Sequence, residues 1–408
     1  MEEVLPVKPK TLSPRLAYGL AAAVIGLSLF ASITPSPLYG TYSELWGFSP
    51  AVLTLVFGTY AFGVLTTLLL AGRLSDNAGR RPVLLIALGS LLVTTLIYMA
   101  AQSVAWLFVA RLLQGLATGL SLASASAAML DLHPRRDPAG VGLANGVASA
   151  GGIGLGMLVS STAVEFLPAP RVVPYVVLFP LFAIAFVGAL LMPEPVTRRT
   201  PLRLTPQRPG VPQVVRRPFL LAGLGVLSSW SIGGLFFSLG PALSTVIFDT
   251  GNHFVTGLSV VALAGSGAVA QLAFARTAPW LGTSAGSIAL AVGVLLMVVA
   301  AAEDSAALLL AGSLVGGSGF GVAFLGSLRQ LVGAIPDEHR AEVMSAFYVV
   351  AYTSLSVPAI LAGILVTPVG LVSTFEIFGS VVAVIAVVLA FEAWRTRPQP
   401  RRVAIAAN

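Results

Sequence analysis

Apolar residues run along this chain in blocks of about twenty, separated by short polar breaks rich in proline, glycine or charge. Twelve runs stand out, approximately 16–36, 50–71, 82–101, 105–130, 141–165, 172–192, 218–247, 255–275, 284–302, 306–333, 342–366 and 371–394. A helix needs about 20 apolar residues to cross the hydrocarbon of a bilayer, so each run predicts one membrane-crossing helix. The runs are too long for strands and lack the ten-residue alternation of a membrane barrel. Lys8, Lys10 and Arg15 precede the first run, as they would in a secretory signal. Tyr- and Pro-rich sequence and eleven further runs follow it, so it reads as a retained helix.

Composition strengthens this picture. The 408 residues are 56% hydrophobic and 10% charged, with a mean hydropathy of +0.92, whereas soluble domains carry about 25% charged residues. Twelve spans use roughly 240 residues, which leaves no room for a soluble domain of about 100. The net charge of +7 could point to nucleic acid, but its placement points elsewhere. With the N-terminus in the cytoplasm, 21 of the 23 Lys and Arg fall at cytoplasmic segments. That asymmetry is the positive-inside pattern; it puts both termini in the cytoplasm and implies a lipid bilayer, not nucleic acid, as the surrounding partner. Only two of the basic residues are lysines, a bias that suits a GC-rich bacterial genome and hence a bacterial cytoplasmic (inner) membrane. There is no cysteine, and His133, His253 and His339 lie far apart. Thiolate chemistry, disulfides and a histidine-rich metal site are therefore not expected. No P-loop is present, which removes direct ATP drive, and no cofactor is implied.

The stretch 193–217 carries six arginines and six prolines near the chain midpoint. Such a segment predicts an extended, unburied, basic linker, dividing the chain into a six-helix bundle at 1–192 and another at 218–408. The halves repeat weakly. An offset of 202 places Gly115 on Gly317, Gly119 on Gly321, Pro134 on Pro336 and Gly156 on Pro358, and an offset of 204 places Pro37 on Pro241. Parallel six-span repeats around a central path are a transporter architecture.

Between the second and third runs stands Gly72-Arg73-Leu74-Ser75-Asp76-Asn77-Ala78-Gly79-Arg80-Arg81-Pro82, and the fourth run holds Arg111-Leu112-Leu113-Gln114-Gly115. The first resembles the cytoplasmic signature of the major facilitator superfamily, G-x-L-[AS]-D-x-x-G-R-[RK]; the second resembles its R-x-x-Q-G. The resemblance spans the chain and implies an all-α fold of twelve transmembrane helices in two pseudo-symmetric six-helix bundles. It also implies a transporter rather than an enzyme, working by alternating access, and the chain resembles the bacterial drug-efflux branch. Two departures stand out. The matching loop of the second half, Ala275 to Gly282, has lost the Asp and the paired arginines. The fifth run reads Gly156-Met157-Leu158-Val159-Ser160-Ser161 where antiporters of the family carry G-P-x-x-G-G.

Residue chemistry refines this. Asp76 sits near a helix C-terminus, where a carboxylate is disfavoured, and needs a cation. Arg80 is nearest, and Asp131 completes a three-charge bridge. By resemblance, Asp76 also faces the start of the eleventh span near Glu342, so Gly72, Asp76, Gly79, Arg80, Arg81, Asp131 and Glu342 form the expected cytoplasmic gate. Arg111 is the basic residue placed inside a span, at a cost of about 2.5–3.5 kcal/mol; it either contacts substrate or coupling protons, or bonds a carbonyl of the first span. Gln114, Tyr39, Asn145, Trp230, Tyr348 and Tyr352 join it as candidate substrate or coupling residues, with Tyr60, Phe237, Gln271 and Phe324 along the same path. Gly152, Gly156, Pro241 and Pro358 are candidate hinges. The set holds few amides and no deep carboxylate, which suits neutral or anionic lipophilic molecules better than sugars. The same lack leaves the protonating group open: the family resemblance implies that Glu376 falls on a peripheral span, and Glu165 and Asp249 read as solvated carboxylates at external ends. The expectation is a monomer exporting small lipophilic molecules against protons. Uptake of a small metabolite (a sugar or organic acid) is the alternative, and an integral-membrane enzyme would need clustered His or carboxylates that the spans lack.

Overall fold

The computed structural model describes residues 11–72, 74–196, 206–395 and 397. Lys8, Lys10, Arg73, Arg198, Arg199, Arg203, Arg401 and Arg402 lie outside the described residues. The first half contains α1 (Pro14–Ile33), α2 (Tyr39–Trp46), α3 (Pro50–Ala71), α4 (Leu74–Ala78), α5 (Arg80–Met99), α6 (Val104–Leu132), α7 (Pro138–Phe166) and α8 (Val173–Leu190). The second contains α9 (Arg216–Ile247), α10 (His253–Ala273), α11 (Pro279–Ala302), α12 (Ala306–Ala334), α13 (Arg340–Val369) and α14 (Leu371–Arg395). Among the described residues, twelve segments are long and apolar enough to cross a membrane, and apart from the first, which runs from Pro14 to Trp46, their bounds lie within a few residues of the apolar runs. The short helices α2 and α4 are additions that the hydropathy pattern does not show.

Local chemistry fixes several starts. Ser13, Ser49 and Asp137 each accept a backbone N–H from the first turn of the following helix, and each is followed by proline. That pairing of a capping oxygen with a proline that needs no N–H partner is favourable at a helix N-terminus. Large apolar side chains such as Phe62, Ile184 and Val269 stand 65%, 70% and 67% exposed, which in this chain means a lipid-facing belt. Inside each half, glycines let backbones meet. A Cβ at Gly63 on α3 would lie 2.8 Å from the Leu112 carbonyl of α6, so small residues set the helix spacing, as they do where lipid supplies no hydrophobic drive.

The halves meet along two seams, α3 against α13 and α7 against α10. Toward the end of the bundle opposite the 72–82 motif (the far face), the two halves bond directly. The Ser36 hydroxyl donates to the Phe237 carbonyl, and the Glu165 carboxylate accepts from Asn252 and His253. At the motif face the linker carries bonds to both halves. The Gln207 N–H donates to the Leu69 carbonyl at 2.8 Å and the Gly210 N–H to the Glu342 carbonyl at 3.2 Å, while the Ser345 hydroxyl donates to Oε1 of Gln207. The expected unburied linker thus needs correction over its described residues: it docks, and Val215 is fully buried. Its prolines leave few N–H groups, and Gln207 gives its own to one of the carbonyls orphaned at the end of α3.

Candidate functional site

The motif builds a charged corner from three separated pieces of sequence. Arg80 opens α5. Its Nη1 donates to Asp76 and, at 2.9 Å, to the Ser75 hydroxyl, and its Nε donates to Asp131 of α6 at 2.9 Å. The Arg80 side chain is only 12% exposed while that of Asp76 is 51% exposed, so the inner bond to Asp131 is the better shielded one. The structure thereby brings Asp76, Arg80 and Asp131 together. It does not bring Asp76 to the start of α13. Glu342 pairs there with His339 at 2.7 Å, and the linker residues Gln207 and Gly210 pack against both helix ends, Gln207 beside Gly72 and Gly210 beside Glu342. The expected bridge across the halves is replaced here by the linker.

One functional carboxylate escaped the sequence reading. Glu194, just past α8, accepts the backbone N–H groups of Arg80 and Arg81, both at 3.0 Å. Two cationic residues at a helix N-terminus oppose the helix dipole, and a capping carboxylate offsets this. Gly79 makes room for it. Its φ is +105°, which strains any L side chain, and a Cβ there would press on the capping carboxylate, 3.0 Å from the Glu194 carboxyl carbon. The missing signal was the uncapped Arg80-Arg81 start itself.

Arg111 lies in the first-half core at 1% exposure. Its guanidinium donates to the Ser32 carbonyl of α1 at 2.7 Å, to Oε1 of Gln114 at 2.9 Å and, through Nε at 3.0 Å, to the Tyr39 hydroxyl. The rings of Tyr39 and Tyr60 flank it at 5.5 and 5.6 Å. Gln114 in turn donates to the Ala31 carbonyl and accepts from the Tyr98 hydroxyl. A buried cation is thus held by neutral oxygens and aromatic faces rather than by a carboxylate. Of the two readings open from sequence, the geometry here is that of the span-one carbonyl bond, and the Arg111–Gln114–Tyr39 set ties α6 to α1 and to the start of α2.

The second half presents a different surface. Trp230 of α9 meets Tyr352 edge-on at 5.3 Å and Phe324 at 5.7 Å, and Phe347 links Phe324 to Tyr348. Tyr348 is 36% exposed, Trp230 and Phe324 are half-buried, and Tyr352 is buried. Asn145 of α7 donates to the Ser126 hydroxyl at 3.0 Å. Its own oxygen and Oε1 of the buried Gln271 have no hydrogen-bond partner among the described residues, and Gln271 lies directly against Gly146 across the seam.

The four candidate hinge residues fall into two kinds. Gly152 and Gly156 press on the α1 backbone at Gly26 and Phe30, so they are close-packing points in this arrangement. Pro241 and Pro358 lie inside α9 and α13, where proline removes one helical hydrogen bond each. Ser160 also serves this packing, donating to the Thr34 carbonyl at 2.6 Å.

Comparison with known proteins agrees with this geometry. The profile of the Major Facilitator Superfamily matches residues 19–357. The multidrug resistance protein MdtL of Klebsiella pneumoniae subsp. pneumoniae is 31% identical over 102 residues, covering 25% of this chain and 26% of the relative. The MdtL protein of Shewanella oneidensis is 36% identical over 104 residues, with the same two coverages, so the chain matches about a quarter of the length of these curated relatives. Among solved structures, the human organic anion transporter MFSD10 (TETRAN) aligns with a TM-score of 0.65 over 92% of this chain and 99% of that chain at 18% identity, a likeness of fold. With two six-helix halves, the signature corner at one face and a profile match over most of its length, this chain belongs to the Major Facilitator Superfamily.

Proposed function

We propose that this transporter exports lipophilic small molecules across a bacterial cytoplasmic membrane in exchange for protons, with the motif face and both termini in the cytoplasm. The basic loops support the orientation, and the multidrug resistance relatives support the direction. The observation that carries the substrate class is the aromatic platform of Trp230, Phe324, Tyr348 and Tyr352. Aromatic faces bind flat apolar molecules through area and ring contacts without demanding a fixed set of donors. A sugar, by contrast, needs several amide or charged partners for its hydroxyls, and Arg111 already directs Nε, Nη1 and Nη2 to protein oxygens. In this reading Arg111 and Gln114 position the first-half helices, Tyr348, Tyr352 and Trp230 meet substrate, and Asn145 with Gln271 offers amide oxygens to a donor on it.

In this reading, too, the structure is the state closed at the external face, where Ser36, Glu165, Asn252 and His253 join the halves. The Asp76–Arg80–Asp131 corner would then meet α13 only after the opposite rocking movement. Purified protein in vesicles with an imposed pH gradient tests the proposal. Expected is flux of a hydrophobic drug coupled to proton counterflow, with Trp230→Ala raising the drug concentration for half-maximal flux roughly tenfold. Sugar uptake, or flux indifferent to the gradient, would overturn it.

A further inference from the structure

Glu165 occupies the last turn of α7, where the helix dipole disfavours an anion. A carboxylate there should turn to solvent, as the sequence suggests, yet it is part-buried and bonded across the seam between the halves. Oε1 accepts from Nδ2 of Asn252 at 2.9 Å, and Oε2 accepts from the backbone N–H of His253 at 2.8 Å. Asn252 is the N-cap of α10, its Oδ1 accepting the Val255 N–H at 3.0 Å. That second bond fixes the amide so that its nitrogen faces Glu165. The carboxylate of one half therefore completes the helix N-terminus of the other, where negative charge is favoured. Packing holds the two ends in register: the Phe166 and Phe254 rings lie 5.9 Å apart, and a Cβ at Gly257 would fall 2.7 Å from the Ser161 hydroxyl.

We propose that Glu165 is the external gate residue of this transporter, holding the halves together when ionised and releasing them when protonated from outside. The proposal rests on the orientation and alternating access argued above. Both groups facing Glu165 are donors. Protonation turns one carboxylate oxygen into a hydroxyl, so one of the two bonds loses its acceptor and the favourable charge at the α10 terminus disappears. The other ionisable side chains on the segments flanking this contact are His253 on α10, Asp249 before it and Arg171 after α7. His253 engages Glu165 through its backbone, so its ring is not required. Glu165 lies at the external end and does not carry a proton across the membrane. Its effect is to favour the outward-open state in an acidic exterior, the state in which an exporter releases drug and takes up protons.

Distance measurement between spin labels tests this without any substrate. The chain has no cysteine, so Leu45→Cys on α2 and Val369→Cys at the end of α13 place one label on each half at the far face. In lipid nanodiscs, acidification should convert a short-distance population to a longer one in the otherwise unmodified protein. Glu165→Gln, which cannot accept both bonds, should raise the long-distance population roughly tenfold in alkaline buffer, about the worth of one charge-assisted hydrogen bond, and lose the pH response. Asn252→Ala, which keeps the carboxylate and the His253 N–H, should open the gate partly and retain a pH response. His253→Gln should behave as the parent does. Distances that ignore pH in the parent, a Glu165→Gln protein that tracks the parent, or a pH response abolished by His253→Gln would each overturn the assignment. Failure of drug export in vesicles, with the distance changes intact, would instead count against the transport reading.

Discussion

Where the first half buries Arg111, the second buries Ser313. The offset of 202 residues that sets Gly115 on Gly317 and Gly119 on Gly321 sets these two on each other, and both are at or below 1% exposure. Arg111 is satisfied by Ser32, Gln114 and Tyr39, whereas the Ser313 hydroxyl has no hydrogen-bond partner among the described residues. The loop corners diverge in the same way. In the first half the helix that follows the loop supplies the cation: Arg80, at the start of α5, reaches Asp131 on α6. In the second half α12 supplies it: Arg329 donates to the loop carbonyls of Ala275 and Thr277 at 2.9 and 3.1 Å, and Gln330 bonds the Thr283 hydroxyl at 2.6 Å. A duplicated scaffold has kept its points of backbone approach and its loop-to-helix tie, while the polar groups that fill them changed sign or vanished. The lost Asp and arginines of residues 275–282 are therefore a relocated tie. What the second half gained is the aromatic surface around Trp230.

The contrast at the buried pair should give the largest effect. Arg111→Leu leaves the Ser32 carbonyl, Gln114 and Tyr39 without their cation and should lower unfolding free energy by about 3 kcal/mol. Arg111→Lys should recover only part of this, because an ammonium cannot reproduce the planar fork. Ser313→Ala removes an unpaired hydroxyl and should be neutral or slightly stabilising. Chemical unfolding in lipid nanodiscs measures all three; a Ser313→Ala protein as damaged as Arg111→Leu breaks the comparison.

The loop ties should come next. Arg80→Ala strands two carboxylates and should cost about 2 kcal/mol, against about 1 kcal/mol for Arg329→Ala, which frees carbonyls near water. Salt separates them further. Raising ionic strength should shrink the Arg80 effect, since Asp76 is exposed, and leave the Arg329 effect nearly unchanged, because carbonyl dipoles are screened less than charges.

These two ties also show what was readable before the structure. The twelve spans were legible because hydrocarbon demands a long apolar run for every crossing, and Arg111 was legible because a lone charge in such a run is costly. The Asp76–Arg80–Asp131 corner was legible from charge alone: the dipole argument fails, because Asp76 lies in the first turn of the short helix α4 rather than at the end of α3. Glu194 was not, since it caps α5 from 114 residues away, and nothing local in the sequence names its partner. Glu165 was misread for a related reason. Its unfavourable position at the end of α7 was visible, but the α7–α10 seam that joins it to Asn252 is a product of how the halves dock. Arg329 was counted only as topology. Opposite charges could be paired by eye; charges whose partners are backbone or amide groups brought in from distant sequence needed the fold.

Asp76 sharpens the corner further. Asp76→Asn keeps the shape of the side chain and leaves Arg80 its inner bond to Asp131, so stability should change by less than about 1 kcal/mol. If the corner is used in the opposite state, transport should fall several-fold while expression holds. Wild-type flux from Asp76→Asn would reduce the corner to a structural tie, like that of Arg329.

The smallest effect is expected at Gln207, where the two halves are joined by neither corner. Its backbone N–H is tied to Leu69 and survives substitution, so Gln207→Ala removes only the bond from Ser345. One neutral hydrogen bond at a partly hydrated site is worth about 0.5–1 kcal/mol, a two- to five-fold shift between conformers. Labels on the motif-face ends of α3 and α13 should then show a modestly broader separation, with far-face distances unchanged. Coupled movement at both faces would mean that the linker transmits the rocking; movement at the motif face alone means it merely rests across the gap. The second outcome is the one expected, because Glu165 and Asn252 hold the far face independently.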